Sequence, residues 1–299
     1  MNPKIFKSIV LRTPVLGQLV SERHRLRSKV ASYLARREPL RAGSPEASNS
    51  GYCHCCRRET VFVAKGSWLR DQYLCSNCLS IPRQRHMQYV LDTFFKGWEE
   101  KNIHESSPSN ELIARYCSSY SSSQYLPGVQ QGTVCNGVRC ENLEALTFED
   151  ETFDIFITQD VFEHIFNPEL AAREISRVLK PGGAHVFTAP KHKGLGKSYA
   201  RARMLDGQIE YLKEEAYHGN PVGDGRALVT WDYGDDFEDL MNSWSNSHTT
   251  TYIIRDRALG IDGEYLEVFV TRKMADRSVS QQDGLKTKWP EPLPVQAIF

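Results

Sequence analysis

Residues 143–190 decide the fold of this chain. They read LEALTFEDETFDIFITQDVFEHIFNPELAAREISRVLKPGGAHVFTAP. Phe153–Thr158 is a nearly continuous apolar run, which is typical of a strand buried on both faces of a sheet. Pro168 then opens a predicted helix, and Pro181-Gly182-Gly183 ends it before a second apolar strand over Ala184–Thr188. A strand, a helix and a further strand in this order predict one unit of a parallel α/β sheet.

The alternation of strand and helix continues on both sides of this stretch. Upstream, the pattern predicts strands over Asn102–Glu105 and Ser121–Tyr125 with a helix over Ser107–Tyr116 between them. Downstream, it predicts a helix over Asp235–Trp244 and then a closing β pair, Thr249–Arg255 with Glu264–Arg272. We therefore predict an α/β fold with a doubly wound, mostly parallel sheet and one antiparallel strand.

Four cysteines in front of this domain form two identical pairs. Cys53-x2-Cys56 and Cys75-x2-Cys78 are separated by 18 residues. Each pair presents two thiolates from one turn, and two such turns complete a tetrahedron around one Zn2+ ion at about 2.3 Å. Four protein ligands leave no open position, so we predict a structural zinc site and not a catalytic one. The alternative is a pair of reduced cysteine turns without metal.

Other polar residues of the cysteine segment leave two questions open. His54 and Cys55 are substitute ligands, although only Cys53 and Cys56 keep the two-residue gap. Nucleic-acid contact also stays open at this point because the segment and the residues after it are rich in arginine: Arg57, Arg58, Arg70, Arg83 and Arg85.

Composition and punctuation divide the chain into four predicted segments. These are a basic helical arm and linker over 1–50, a four-cysteine zinc module with a docking helix over 51–98, the α/β domain over 99–274 with an insertion at about 191–230, and a tail over 275–299. Residues 1–50 hold ten lysines and arginines against three glutamates. A partly amphipathic helix over 1–38 favours packing on the core, with a peripheral membrane or protein contact as the alternative.

The overall charge and the cysteine distribution bound the class of protein. The formal net charge is zero, which offers no general attraction for nucleic acid. No apolar run approaches the roughly 20 residues of a transmembrane helix, and Ile5–Val20 makes a poor signal peptide. Five of the eight cysteines lie between 53 and 78, a clustering that favours metal-bound thiolates over secreted disulfides. We therefore predict a cytoplasmic protein without a transmembrane segment.

The stretch quoted first also resembles a known family. Its matching pieces are Leu146-Thr147-Phe148, Phe153-Asp154, Val161-Phe162-Glu163-His164 and Arg177-Val178-Leu179-Lys180-Pro181-Gly182-Gly183. In combination these pieces resemble class I S-adenosylmethionine-dependent methyltransferases of the type 11 kind, over roughly residues 100–273. The resemblance implies a Rossmann-like, seven-stranded sheet with S-adenosylmethionine lying across the carboxyl ends of its first strands, in agreement with the general rule for open α/β sheets.

The resemblance also implies positions for the cofactor. Asn142 and Leu143 would meet the adenine, and Gln159 and Asp160 would face the sulfonium and the substrate. The acidic residue expected after the second strand, for the ribose hydroxyls, is absent. Gln124 and Tyr125, preceded by Ser123, stand at that position. Leu143 also fits a purely structural role in the core.

The loop after the first strand departs from the family pattern. Such enzymes usually carry an acidic residue and a glycine-rich loop there, whereas Glu105–Ser109 contains no glycine. Glu105 is placed to take the cofactor's ammonium group. The hydroxyls of Ser106 and Ser107, with the N-terminus of the predicted helix, are placed to take its carboxylate.

Three histidines are candidate general bases for a hydroxyl acceptor, which loses its proton during methyl transfer. His164 follows the predicted strand Phe153–Thr158, His192 follows the predicted strand Ala184–Thr188, and His218 lies in the predicted insertion, which often forms the substrate lid in this fold. Each also fits a structural role in packing or in a loop.

The sequence thus predicts a zinc-stabilised, S-adenosylmethionine-dependent methyltransferase that acts on a small polar metabolite or glycan, at oxygen. One alternative is a catalytically degenerate member of the fold that keeps the binding pocket only. The other is an RNA methyltransferase, which is disfavoured because Gln159-Asp160-Val161-Phe162 stands where a base-flipping motif is expected.

Overall fold

The structure is a computed structural model, and it describes residues 48–108, 112–219 and 225–274. The predicted tail and all but three residues of the predicted arm and linker lie outside these ranges. Ser109, the last residue of the glycine-free loop, also lies outside them.

The described residues form four α-helices and seventeen strands. The helices are α1 Leu69–Gln72, α2 Pro82–Phe94, α3 Pro168–Val178 and α4 Phe237–Ser245. Three short 3-10 helices span Trp98–Glu100, Phe162–His164 and Arg257–Leu259. The strands are β1 Ser48–Cys53, β2 Arg58–Ala64, β3 Tyr73–Cys75, β4 Asn102–Ser106, β5 Ser119–Gln124, β6 Val134–Cys135, β7 Val138–Cys140, β8 Phe153–Gln159, β9 Leu179–Thr188, β10 Tyr199–Ala200, β11 Ala202–Leu205, β12 Gln208–Tyr211, β13 Tyr217–Gly219, β14 Arg226–Leu228, β15 Trp231–Asp232, β16 His248–Tyr252 and β17 Val268–Arg272.

The main sheet has the order β16-β17-β9-β8-β4-β5-β7-β6. Strands β9, β8, β4, β5 and β7 are parallel, and β17 runs antiparallel to both of its neighbours. This confirms the predicted doubly wound, mostly parallel α/β class. The sheet has one strand more than the seven expected, because Asn136 and Gly137 both adopt positive φ and turn Val134–Cys135 back onto β7. Asn-Gly is the preferred sequence for such a two-residue hairpin turn.

Helices cover both faces of the sheet. On one face Met87, Val90 and Leu91 of α2 pack against a cluster that includes Ile103 and Ile155. On the other face α3 and α4 pack against the outward aromatic side chains of β8 and β9. The predicted docking helix is therefore also a structural layer of the sheet, and its packing joins the cysteine segment to the α/β domain.

The helix expected over Ser107–Tyr116 is wrong for the part that is described. Residues 112–116 form turns, in which the N–H groups of Tyr116 and Cys117 both bond to the carbonyl of Ile113. The segment begins with a run of serine, proline and asparagine, whose side chains compete with helical hydrogen bonds. Its first residue, Ser107, has φ +55°, which is not helical geometry.

The proline and glycines after α3 lie inside β9 and not between the helix and the strand. Helix α3 ends at Val178 and β9 begins at Leu179. A side chain at Gly183 would place its Cβ 2.9 Å from the carbonyl of Lys180 and 3.0 Å from that of Asp154. The glycine is therefore required for the close approach of β9 to the start of β8.

The cysteine module, residues 51–81, is built on the three-stranded antiparallel sheet β1-β2-β3. Strand β1 already begins at Ser48, within the predicted linker. The module packs on the connection between β16 and β17: a Cβ at Gly260 would lie 2.5 Å from the ring of Phe62. Arg85 of α2 is fully buried and donates to the carbonyls of Gly260 and Tyr73 at 2.6–2.8 Å, and to that of Ser80.

Candidate functional site

The four predicted zinc ligands lie together. The sulfur atoms of Cys53, Cys56, Cys75 and Cys78 are all within 4.8 Å of one another. Two of their separations are 3.7 Å, from Cys53 to Cys78, and 3.9 Å, from Cys56 to Cys75. A tetrahedral zinc ion with bonds of about 2.3 Å requires sulfur–sulfur separations of roughly 3.8 Å. These two separations match a zinc ion, and the residues present fit a four-thiolate site.

The two substitute ligands are engaged differently. His54 bonds through Nδ1 to Asp92 of α2 at 2.6 Å, and Cys55 is buried without belonging to the four-sulfur cluster. The module's arginines also have partners within the protein. Arg57 forms an ion pair with Glu99, and Arg85 of α2 lies in the contact between the cysteine module and Gly260, which we call the docking surface.

The nine predicted cofactor residues all lie at the carboxyl edge of the sheet, which we define as the edge where β4, β5, β7, β8 and β9 end. They follow or end four adjacent strands: Glu105, Ser106 and Ser107 at β4, Gln124 and Tyr125 at β5, Asn142 and Leu143 at β7, and Gln159 and Asp160 at β8. The strand order runs from β4 to β5 and β7 on one side and to β8 and β9 on the other, so the topological switch point lies between β4 and β8. Open α/β sheets bind their ligands at such a point.

Glu105 occupies the switch point. It is 1% exposed, and it accepts hydrogen bonds from Nε2 of Gln159 at 2.7 Å and from the hydroxyl of Tyr120 at 2.8 Å. Burial raises the pKa of Glu105 to about 7, although both hydrogen bonds act to lower it. The other side-chain atom of Gln159, the carbonyl oxygen Oε1, is buried without a hydrogen-bond partner.

One residue of the glycine-free loop, Ser107, adopts a backbone conformation that is typical of glycine. Ser107 has φ +55°, in the left-handed region that favours glycine, and its N–H donates to the carbonyl of Ser123 at 2.8 Å. Ser106 precedes it at the end of β4 and is buried. A serine thus takes the turn at the place where the family carries its first glycines.

The remaining predicted cofactor residues line the edge beyond β4. Tyr125 is 59% exposed, and Leu143 is buried in the core cluster beneath the edge. The side chain of Asn142 accepts from the N–H of Glu144 at 3.0 Å and so shapes the turn after β7. The carbonyl of Gln124 accepts from the N–H of Glu141 at 3.0 Å, which holds the ends of β5 and β7 together.

Asp160 contacts the cysteine module directly. Its carboxylate forms an ion pair with Arg70 and lies 3.1 Å from Nε of Arg83, and it accepts from the hydroxyl of Thr188 at 2.8 Å. Burial acts to raise the pKa of Asp160, but Arg83 and Arg70 lower it below its usual value. Asp160 has φ +53°, a strained backbone region. The cysteine module therefore closes one side of the carboxyl edge.

Two of the three predicted catalytic histidines lie together. His164 and His218 meet at right angles with ring centroids 5.1 Å apart. Between them lies the carboxylate of Glu163, whose Oε1 is 3.8 Å from Nε2 of His164 and 3.6 Å from Nδ1 of His218. We call these three residues the histidine cluster. It joins the 3-10 turn after β8 to β13 of the insertion.

His192 lies apart from the histidine cluster in its contacts. It follows β9 and is about 40% exposed. Its Nδ1 is 3.3 Å from the hydroxyl of Tyr265, and its Nε2 is 3.5 Å from Asp232. Asp232 is itself held by Arg201 at 2.6 Å. The insertion forms three two-stranded ribbons, β10-β15, β11-β12 and β13-β14.

Three residues of this site were not assigned a site role by the sequence analysis. Arg70 and Arg83 were named only among the arginines that leave nucleic-acid contact open, and no local pattern indicates that they reach the carboxylate of Asp160, 90 and 77 residues away. Glu163 stands in the quoted motif, but its burial depends on the insertion that folds over it. Adjacent glutamate and histidine at the end of a strand were the available signal.

Comparison with known proteins gives a partial match. Residues 108–187 match the family model of a methyltransferase domain. This confirms the predicted resemblance to methyltransferases over these residues.

Similar proteins match over short or divergent stretches. The ubiquinone/menaquinone biosynthesis C-methyltransferase of Shewanella frigidimarina is 39% identical over 61 residues, 19% of this chain and 24% of that protein. The ubiquinone biosynthesis O-methyltransferase of Parvibaculum lavamentivorans is 36% identical over 64 residues, 21% of this chain and 24% of that protein. The chain thus spans about a quarter of the length of the curated relatives it matches.

Among solved structures, a Burkholderia thailandensis 1,6-didemethyltoxoflavin-N1-methyltransferase, with bound 1,6-didemethyltoxoflavin and S-adenosylhomocysteine, aligns with a TM-score of 0.41 and 10% identity. The alignment covers 64% of this chain and 78% of that one. Within the described residues, no helix is both long and apolar enough to cross a membrane.

Proposed function

We propose that this protein transfers the methyl group of S-adenosylmethionine to an oxygen of a small polar metabolite or glycan. The observation that carries the proposal is the hydrogen bond between Glu105 and Gln159 at the topological switch point, in a chain with a methyltransferase domain. It puts a buried carboxyl and a buried, unpaired carbonyl oxygen at the place where such sheets bind their ligands.

These groups fit the charge of the cofactor. When bound, S-adenosylmethionine supplies an electrophilic methyl group on a positively charged sulfur, and it also carries an ammonium group. Oε1 of Gln159 is free to accept from an ammonium group, and Glu105 becomes fully ionised beside a cation. The positive φ of Ser107 lets the loop backbone approach the amino-acid end of the ligand without a glycine. Asn142, Leu143, Gln124 and Tyr125 are the proposed partners of the adenine and ribose.

In this proposal the cysteine module encloses one side of the cofactor site. We assign Zn2+ to its four thiolates as a structural ion, because four ligands at tetrahedral spacing leave no open position. Through Arg70 and Arg83 the module holds Asp160, so metal-dependent folding of the module is linked to the shape of the carboxyl edge. In this proposal Asp160 keeps those arginines in position and faces the methyl acceptor at the carboxyl edge.

His192 is the proposed general base. It lies just beyond the carboxyl end of β9, remains accessible, and has Asp232 and Tyr265 beside its two ring nitrogens to orient it. A neutral imidazole there takes the proton that the acceptor hydroxyl loses as its oxygen bonds to the methyl carbon. A His192→Gln substitution should lower kcat at least about 100-fold while cofactor affinity stays unchanged.

Calorimetry with S-adenosylmethionine tests the proposal directly. We expect binding, and we expect Glu105→Ala and Asn142→Ala to weaken it, while Glu149→Gln, at an exposed loop position, does not. Because the pKa of Glu105 is about 7 in the free protein and falls beside an ammonium group, binding at pH 6.5 should release a proton. Titrations in buffers of different ionisation enthalpy measure that proton. Absence of binding at millimolar cofactor would sink the proposal.

The remaining alternatives are separable outcomes. Cofactor binding with no transfer to any hydroxyl acceptor would identify a degenerate member of the fold. Salt-dependent retention on RNA would revive the RNA alternative. The internal partners of Arg57, Arg70, Arg83 and Arg85 argue against it, because these arginines are occupied within the protein.

The division into four segments, with boundaries after residues 50, 98 and 274, remains a proposal. A contact of residues 1–38 with a membrane surface or a protein is also a proposal. The cytoplasm is the proposed location. None of the eight cysteines, all within the described residues, forms a disulfide, which is consistent with a reducing compartment.

A further inference from the structure

Glu163 is a buried carboxyl group that receives no hydrogen bond from its surroundings. The residue is 1% exposed, and both oxygens of its carboxylate lack a hydrogen-bond partner. An ionised carboxylate removed from water costs several kcal/mol unless a proton, a cation or donor groups compensate it. A buried, unpartnered group of this kind indicates a ligand that completes the site.

One ring nitrogen of each histidine lies near the same oxygen of Glu163, at 3.8 Å for His164 and 3.6 Å for His218. Nδ1 of His164 lies 2.8 Å from the carbonyl oxygen of Leu228, which only accepts, so Nδ1 carries the proton. Nε2 of His164 therefore faces Glu163 with its lone pair, at 3.8 Å. A histidine that binds a metal typically donates its other N–H to a carbonyl or carboxylate in this way.

The spacing of the three ligand atoms suits an ion better than a hydrogen bond. Separations of 3.6 and 3.8 Å from Oε1 of Glu163 are too long for direct hydrogen bonds. Around a tetrahedral ion with bonds of about 2.0–2.1 Å, ligand atoms lie roughly 3.4 Å apart. The two separations from Oε1 of Glu163 are thus within a few tenths of an ångström of the value around a bound ion.

The backbone around the cluster is held firmly from the insertion. The carbonyl of Glu163 accepts from the N–H of Thr230 at 2.7 Å, and the carbonyl of Phe162 accepts from the hydroxyl of Tyr233 at 2.9 Å. Glu163 is thereby fixed, whereas His218 is 45% exposed on β13. The side of the cluster toward His218 is open to solvent.

We propose that Glu163, His164 and His218 bind a divalent transition-metal ion, and that Zn2+ is its best probe. Two imidazoles and one carboxylate form a donor set for zinc and its first-row neighbours rather than for magnesium or calcium. Three protein ligands leave at least one position for water or for an oxygen of a small molecule. A hydroxyl bound there is acidified by the ion. The site goes beyond the proposed methyl transfer and does not depend on it.

Metal binding is measured without cofactor or acceptor, so its failure is separate from a failure of the proposed methyl transfer. Protein that retains its cysteine-bound zinc is dialysed against a weak chelator and titrated with Zn2+ in a calorimeter. We expect one further ion per chain. Because even the loss of an outer partner of a metal ligand costs about 10–100-fold in affinity, His218→Ala and Glu163→Gln should each bind at least about 100-fold more weakly.

The control is His248→Ala, at an exposed histidine of β16 outside the cluster, which should bind the further ion as the unchanged protein does. His218→Ala is the decisive variant because its position is half exposed and its fold is easily verified by circular dichroism. The proposal is overturned if the unchanged protein takes up no zinc beyond the cysteine-bound ion, or if folded His218→Ala takes it up with unchanged affinity.

Discussion

Arg85 and Glu163 are both fully buried charged residues, yet their surroundings treat them in opposite ways. Arg85 lies in the docking surface of the cysteine module, where three backbone carbonyls accept its N–H groups and three cysteines, Cys53, Cys55 and Cys75, lie nearby. Glu163 lies at the carboxyl edge, where neither of its oxygens has a partner. The first arrangement holds two parts of the fold together, and the second is complete only with a ligand. A buried arginine whose N–H groups are all placed on acceptors thus stabilises the fold here. A buried carboxyl group without hydrogen-bond donors instead indicates a binding site.

The largest effect on the docking surface is expected from loss of the zinc ion that we assign to the cysteine module. Cys75→Ser should abolish tight zinc binding, because a structural zinc ion contributes on the order of 10 kcal/mol of apparent folding free energy. We expect residues 51–81 to become sensitive to limited proteolysis. Zinc content by atomic absorption is the measurement. Cys135→Ser, at a cysteine outside the cluster, should keep a full complement of zinc, and a Cys75→Ser protein with normal zinc content would contradict the four-thiolate site.

Arg85 itself provides the next largest effect. Arg85→Met should lower the free energy of unfolding by about 3–5 kcal/mol, because it leaves buried carbonyls of Gly260, Tyr73 and Ser80 without donors. Urea denaturation monitored by tryptophan fluorescence checks this. Arg58→Met, at an exposed arginine of β2, should change the unfolding free energy little. A loss for Arg85→Met no greater than that of the control would refute the assigned role.

Glu105 is intermediate between Arg85 and Glu163, because it accepts two hydrogen bonds but has no cationic partner. Its contribution to the free energy of unfolding therefore depends on pH. Its folded pKa of about 7 lies above its ordinary value of 4.5, so the protonated form favours the fold. That stability is present below the ordinary pKa and is lost as the pH rises through about 7. The advantage of Glu105→Gln over the unchanged protein should therefore grow by about 2 kcal/mol between pH 5.5 and 8.

Denaturant midpoints measured at several pH values give that difference, and Glu149→Gln is the matched control because its carboxylate is exposed. An advantage of Glu105→Gln that is constant with pH would mean that the carboxyl is ionised in the fold at all of these pH values.

Glu163 should show the smallest effect and the opposite sign from Arg85. In metal-free buffer Glu163→Gln should raise the free energy of unfolding by about 1–2 kcal/mol, because it replaces a buried carboxyl group that receives no hydrogen bond with a neutral amide. Added Zn2+ should stabilise the unchanged protein and not the variant. Thermal unfolding with and without the ion measures both effects. Destabilisation by Glu163→Gln would place Glu163 with Arg85 among the structural charges.

The sequence predicts most of the fold because the deciding signals are local. The apolar run of β8, the proline at the start of α3 and the two Cys-x2-Cys turns each act within a few residues. The turn of the extra hairpin also has a local signal, since Asn136-Gly137 is a strong turn sequence. The two strands that it joins, β6 and β7, are only two and three residues long and give no pattern of their own.

The parts of the site that were missed depend on contacts between distant segments. Arg70 reaches Asp160 across 90 residues, and His218 approaches Glu163 only because the insertion folds back over the 3-10 turn. The helix predicted over Ser107–Tyr116 is wrong in its described part, because the serines at its start favour turns although a proline there is compatible with a helix start. The left-handed backbone of Ser107 has no signature in a serine side chain.

The pairing of Arg85 with Gly260 sets an order of events during protein synthesis. The ribosome adds Gly260 175 residues after Arg85, so the cysteine segment can bind its metal long before its docking partner exists. Until then the guanidinium group and the face around Phe62 remain exposed to water and to other proteins. Contacts of such long sequence separation form late, and a nascent chain stalled before residue 260 should be prone to aggregation or to capture by chaperones.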